Sequence, residues 1–347
     1  MQGMVKDFET VLHETGSKGE AELYSKISRF LKVWLGRLVD LEAVFSVVDS
    51  IVNWSPDRFG IAALYQSFYF LQGKIGKELD PTAIKEFEPP TNEEIQTAYA
   101  LRNRFQDFVR TKCEIPESGM NLIEPAYGTL FDMVGSQVLG GPSTTTHRIP
   151  SDSAIFTTNY DASLEHYWID CVKTPLNTGF TWNEVAGMKV SNPGALRQFN
   201  YPKLFKLHGS VTWFNDPEYG FTEQRVVPRD MKKWTGSKFL GQAMLYPIEE
   251  KELYVEPYLT MFEQLNSELS SAPLWIIVGY SFGDRFIRDV FIRNSKGDKR
   301  IVLLHPHGSE VIRRLDGIRG KTFVESARFG VGDIAGTCQS LINRLRS

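Results

Sequence analysis

The feature that most constrains this chain is a series of short apolar runs in its second half, each closing on small or polar residues. AIFTTNY (154–160), KLFKLHG (203–209), LWIIVGYS (274–281) and RIVLLHP (300–306) are four of them, and TFVES (322–326) makes a fifth. Helical stretches separate them. Strands alternating with helices predict a parallel sheet with helices on both faces. Such sheets bind ligands at the carboxyl ends of their strands. The four strongest runs end on Asn159, His208, Ser281 and His305.

The first half has a different rhythm. Leu23, Ile27, Phe30, Leu31, Trp34, Leu38 and Leu41 fall at helical spacing, as do Ile95, Tyr99, Phe105, Phe108 and Val109. LEAVFSVVDSIV (41–52) and AALYQSFYFLQ (62–72) are apolar around much of their circumference, as buried helices are. NEEIQTAYALRNRF opens on an acidic turn suited to a helix N-terminus. Residues 135–152 are rich in Gly, Ser, Thr and Pro and read as a loop at a domain boundary. With 347 residues the chain exceeds what one core usually holds. The expected organisation is a tail at 1–19, a helical subdomain at 20–150, a Rossmann-like domain at 151–335 and a C-terminal helix at 336–347. The fold class is α/β: a Rossmann-like, mostly parallel sheet with a helical insertion.

Charge and cysteine usage exclude several functions. Lys+Arg total 39 against Asp+Glu 42, a net charge of −3, which argues against a dedicated nucleic-acid binder. Cys113, Cys171 and Cys338 share no CxxC spacing, so neither a disulfide framework nor a cysteine-built zinc site is expected. The chain reads as cytoplasmic. Its start lacks the apolar core of a secretory signal, and its longest apolar runs are too short to span a bilayer.

Each strand end admits a structural and a functional reading. Asp161 suits a helix N-cap. Asn159, an amide at the end of a buried strand, must find partners, and a ligand serves as well as the protein does. His208 precedes Gly209, which permits positive φ or close backbone approach, and a neutral histidine is a competent general base. Ser281 and Asp284 form an S-x-x-D capping box, and the same helix start is also a ready anion site. Gly279-Tyr280-Ser281-Phe282-Gly283 spells G-x-S-x-G, the nucleophile elbow of serine hydrolases, with Asp289 or Asp298 and His305 as nominal partners. No HGGG-type oxyanion loop precedes it. His305 and His307 have no acidic partner to complete a metal site. Arg102, Arg104, Arg110 and Lys112 read as a solvated helix face.

Taken together, TTNYD (157–161), KLHGSVTW (206–213) and VGYSFGD (278–284), in this order at successive strand ends, resemble the sirtuin superfamily. They are most similar to its bacterial branch found in anti-phage defence. The resemblance covers roughly 150–310 and extends more faintly to LEAVFSVVD (41–49). It implies that Asn159 lies by the nicotinamide ribose and positions the attacking water, with His208 acting on the ribose hydroxyls. Asp161 would stand near the carboxamide, with Thr158 and Gly209 beside it. Gly279, Tyr280 and Ser281 would contact the phosphates and the adenosine side, with Asp284 at the helix cap. The implied activity is cleavage of NAD⁺ to nicotinamide and ADP-ribose, with NAD as substrate and no metal, in a homo-oligomer or with a defence partner protein. A non-catalytic NAD- or ADP-ribose-binding module is the alternative. Protein deacylation ranks lower, because the four-cysteine zinc ribbon of deacylases is missing. The glycine-rich G-A-G-x-S loop that opens the family fold is also missing. Gly16-Ser17-Lys18-Gly19 is its nearest counterpart, and a late start at Met1, with weakened NAD binding, is the expectation that follows.

Overall fold

The computed structural model describes residues 2–35, 41–52, 90–113, 115, 117–138, 153–198, 201–216, 218–223, 241–244, 256–315 and 317–325. The helices expected at 62–72 and 336–347 lie outside the described residues. The chain divides into two compact units, residues 1–112 with 245–251, and 113–244 with 252–347.

The first unit contains α1 (Gln2–Thr15), α2 (Lys18–Leu35), α3 (Leu41–Val52) and nearly all of α4 (Asn92–Cys113). The first residues are therefore a helix and not the expected tail. The reason is Phe8, which is fully buried and packs its ring 5.2 to 5.6 Å from those of Tyr24, Phe45, Phe105 and Phe108. Such a cluster draws rings from all four helices, two of them from α4, and tilted or edge-on contacts suit the ring quadrupoles. Two reciprocal capping boxes start helices here. Ser17 and Glu20 exchange backbone-to-side-chain bonds of 3.2 Å at the head of α2, and Thr91 and Glu94 do the same at α4. Gly16-Ser17 is thus a helix-to-helix turn. A Cβ at Gly16 would meet the Leu12 carbonyl oxygen at 2.4 Å, so the glycine is required by close packing.

The basic run on α4 is not simply a solvated face. Arg104 closes on Glu20 through Nε at 2.6 Å, Arg102 pairs with Asp49 at 3.8 Å, and Lys112 reaches Asp7. Three of these four cations tie α4 to α2, α3 and α1. Arg110 pairs with Asp107 within the helix.

The second unit carries the sheets. Strands β1 (Ala154–Thr157) and β4 (Lys203–Lys206) pair in parallel. Strands β8 (Leu274–Val278), β9 (Arg300–Leu304) and β10 (Lys321–Glu325) form a parallel trio in the order β10-β9-β8. All five predicted strands are therefore present, and the fold is α/β and Rossmann-like. The addition is a five-stranded antiparallel sheet, ordered β2-β3-β6-β5-β7. It comprises β2 (Phe180–Asn183), β3 (Met188–Ser191), β5 (Gly209–Asp216), β6 (Gly220–Glu223) and β7 (Gly241–Met244). The segment after KLFKLHG is a strand of that sheet and not a helix.

The parallel strands need apolar cover, which α5 (Glu117–Val138) supplies to both groups. Ala126 and Leu130 pack on the buried Val302 and Leu304, as do Leu274, Ile276 and Val278 of β8. Ile123, Tyr127 and Phe131 pack on Tyr167, Trp168 and Leu204. Because α5 runs to Val138, the boundary loop expected from 135 begins at least four residues later. Five shorter elements follow among the described residues of the unit: α6 (Ser163–Tyr167), which runs on into a π turn at Trp168–Val172, α7 (Ala195–Gln198), α8 (Tyr258–Ser271), α9 (Arg285–Asn294) and α10 (Gly308–Arg314).

Candidate functional site

Every residue singled out from the sequence as a site residue lies in the second unit. His208 occupies the two-residue turn that carries the chain from β4 into β5. Gly209 then adopts φ +85°, the left-handed conformation that glycine makes cheap, and the chain turns out of the parallel pair into the antiparallel sheet. The His208 ring is buried, and its Nε2 forms a 3.2 Å hydrogen bond with Oδ2 of Asp284. Asp284 is also the N-cap of α9, its Oδ1 accepting from the Ile287 amide at 3.2 Å. One carboxylate therefore starts a helix and holds a histidine that lies 76 positions away. The capping box expected between Ser281 and Asp284 does not form, because α9 begins at Arg285, a turn too late for Ser281 to cap it.

The loop after β1 lies against the start of β5. Leu207 donates its amide to the Thr157 carbonyl at 2.9 Å and Val211 to the Tyr160 carbonyl at 3.0 Å. The Tyr160 ring stands 6.3 Å from that of His208. Asn159 is at the crest of this loop. Its amide N–H is turned back onto Thr157 Oγ1 at 3.0 Å, and its side chain is exposed, with no hydrogen-bond partner among the described residues. The strand before it is half-buried rather than buried, so the amide has no internal bonding duty. Asp161 is differently placed. Its Oδ1 accepts from the Ser163 amide at 2.9 Å and from the Ser163 hydroxyl, but the N-cap of α6 is Ala162, so Asp161 braces the turn ahead of the helix and is not the cap the sequence suggests. Ser163 Oγ also lies 2.9 Å from the hydroxyl of Tyr127, a phenol that burial pushes up to about 12.

The third segment is the loop from β8 to α9. Gly279 has φ +68° and donates its amide to Leu304 at 2.8 Å, and no atom lies within 4 Å of the place a Cβ would take. Its backbone is open to close approach by a ligand. Phe282 is the anomaly of this loop, a bulky residue at φ +56° with its ring fully buried against Tyr280 at 4.8 Å and Phe291 at 5.2 Å. Left-handed backbone in such a residue costs about 1–3 kcal/mol and persists only where packing imposes it. Ser281 is half-buried, and its carbonyl accepts from Arg314 Nη1 at 3.3 Å.

The structure joins Asn159, Tyr160, Asp161, His208, Gly209 and Asp284 into one locality, with Gly279, Tyr280 and Ser281 on the loop that leads to Asp284. Thr158 is half-buried between Thr157 and Asn159. It does not assemble a hydrolase triad. No hydrogen bond joins Ser281 to a histidine among the described residues, and Asp289 lies beside Arg285 and Arg288. His305 Nδ1 accepts from the His307 amide at 3.0 Å. Burial, with the nearby charges of His307 and Arg314, holds its imidazole below the usual histidine value. No group of three or more His, Cys, Asp or Glu is placed to hold a metal ion among the described residues. Burial, reinforced by the charge of Asp161, pushes the Cys113 thiol up to about 11, which leaves it unreactive near neutrality.

Sequence reasoning passed over Lys206 and Glu165. Lys206 is 2% exposed, and its ammonium bonds to Glu165 Oε1 at 2.9 Å and to the backbone carbonyls of Tyr160 and Asp161. The available signal was a lysine inside the apolar run KLFKL, where a cation must find several acceptors.

Residues 153–316 match the family model of the SIR2-like domain. The match covers a little under half of the chain and contains all three site segments. It supports a sirtuin-like family and, with it, a function connected with NAD. None of the curated proteins matches the chain. Among the described residues, no helix is long and apolar enough to cross a membrane.

Proposed function

We propose that this chain cleaves the nicotinamide–ribose bond of NAD⁺, releasing nicotinamide and ADP-ribose, and that it serves the NAD⁺-depleting defence role of the branch it resembles. The reading rests on one observation above the others. Within the sirtuin-like segment, an asparagine whose side-chain amide has no partner among the described residues and a histidine held by a carboxylate stand at the ends of the two paired parallel strands, where ligands bind in such folds.

The chemistry asks for little else. Cleavage passes through an oxocarbenium-like state comparable to that of glycoside hydrolysis. Nicotinamide leaves a cationic ring and departs neutral, so it needs no general acid. The Asn159 amide holds the attacking water with its carbonyl oxygen. His208 accepts a hydrogen bond from the ribose hydroxyls and takes, through them, the proton that the attacking water gives up, and Asp284 stabilises the charge that gathers on the imidazole ring. Gly279 and the amides that follow it lie against the phosphates, where a side chain would obstruct them.

A second reading, in which the pocket binds NAD or ADP-ribose without turning it over, is favoured by the burial of His208, which is 5% exposed. Nicotinamide release by the purified chain, measured beside His208→Ala, separates the two. Release that the substitution removes supports hydrolysis. Saturable binding without release supports the binding module.

A further inference from the structure

The buried pair of Lys206 and Glu165 raises a physical question. Their side chains are 2% and 6% exposed. Removing two charges from water is expensive, and well-packed apolar residues of the same volume are often the more stable solution. The pair is also incompletely satisfied, since Glu165 Oε2 is buried with no hydrogen-bond partner among the described residues. Burial pushes the Glu165 carboxyl above the usual carboxylate range, against the pull of Lys206. Stability alone does not account for such an arrangement.

The geometry around the ammonium does account for it. Lys206 lies in register with Thr157, the last residue of β1. From there Nζ reaches the Tyr160 carbonyl at 3.5 Å, the Asp161 carbonyl, and Glu165 Oε1 at 2.9 Å. A lysine offers three donors from one point, and here all three have acceptors. Two of them are consecutive backbone carbonyls of the loop whose crest is Asn159. The Tyr160 carbonyl also receives the Val211 amide and the Ser210 hydroxyl at 3.3 Å, so the loop is held from β4 and β5 together. An apolar side chain could fill the volume but could not bond those carbonyls.

We infer that Lys206 is a positioning residue, whose ammonium, itself anchored by Glu165, fixes the backbone at 160–161 and thereby sets the place of Asn159 and of the Tyr160 ring beside His208. The inference rests on the proposed hydrolysis for its kinetic consequence and on geometry alone for its structural one.

The two consequences separate experimentally in the full chain. Lys206→Met alone strands a buried carboxylate and lowers the melting temperature. Lys206→Met combined with Glu165→Gln removes both charges and restores it. Glu165→Gln alone keeps an acceptor for the ammonium and leaves both loop carbonyls bonded. The expected result is that the double variant melts like wild type but turns over NAD⁺ about 10- to 100-fold more slowly at little changed KM, the loss that a displacement near 1 Å brings. Hydrogen exchange should accelerate in the double variant within peptides covering 158–163 and stay at the wild-type rate in Glu165→Gln. A double variant with wild-type turnover overturns the inference. If the wild type releases no nicotinamide, the catalytic reading fails by itself and exchange decides: faster exchange confined to 158–163 upholds the positioning role, and unchanged exchange overturns it.

Discussion

At the scale of single residues, the site is a division between side chains with internal duties and one without. Asp161, Asp284, Lys206 and Glu165 each bond protein groups through their side chains, whereas the side-chain amide of Asn159 bonds none among the described residues. Asn159→Ala is therefore expected to leave the melting temperature unchanged while lowering nicotinamide release by about 10²–10³-fold, the range for losing one preorganised hydrogen-bonding group at a reacting centre. Wild-type release in that variant would remove Asn159 from the mechanism. Asp284→Ala should act twice: a loss of about 1 kcal/mol in stability from the uncapped α9, and a fall in turnover from the unheld His208. Urea denaturation and kinetics on the same preparation check both. The sequence made Asn159, His208 and Asp284 visible as motifs. The bond between the last two was not legible, because it joins residues 76 positions apart and depends on how two loops meet. The buried lysine was passed over because a single cation inside an apolar run carries no recognisable spacing.

At the scale of elements, what the sequence revealed follows how local each element's cause is. The five parallel strands are continuous apolar runs and could be read directly. The antiparallel sheet is built from mostly four-residue strands such as FTWN, MKVS and GFTE, whose polar alternation resembles loop sequence until the partners are known. The capping boxes at Ser17–Glu20 and Thr91–Glu94 are local, and their S-x-x-E and T-x-x-E patterns were open to reading. They also carry a pH dependence. Burial works against the Glu20 charge, but hydrogen bonds from Arg104 and Ser17 outweigh it and hold the carboxyl below the usual range, and the Thr91 amide does the same for Glu94. A carboxylate with a depressed folded-state pKa adds stability that is present above its unfolded pKa and is lost as pH falls through the folded value. The helical unit is thus expected to hold its stability from neutrality down to the ordinary glutamate range near 4.5 and to weaken below it. Glu20→Gln should flatten that decline in urea melts taken across pH, and an unaltered profile would show that the Arg104 contact contributes nothing. Ser17→Ala should cost about 1 kcal/mol at neutral pH.

At the scale of the molecule, all of the proposed chemistry belongs to one of the two units. A ligand that binds only the folded form at a hundred times its dissociation constant stabilises it by about 2.7 kcal/mol. NAD⁺ should therefore raise the melting transition of the second unit, reported by the fluorescence of its buried Trp168, Trp213 and Trp275. Asn159→Ala should retain the shift, since its amide is assigned to the water rather than to binding. Absence of any shift with NAD⁺ or ADP-ribose would argue against both functional readings.

The left-handed Phe282 has an evolutionary corollary. Replacing it with glycine would relax the backbone by about 1–3 kcal/mol but would empty a fully buried ring site, a loss of about 3–5 kcal/mol. Any other side chain would inherit the strain and fill the space less well. Position 282 is therefore a local fitness peak with no uphill single step. Drift can remodel the surface around the loop from β8 to α9, but substitutions at this residue should be depleted in a random library selected for a folded protein.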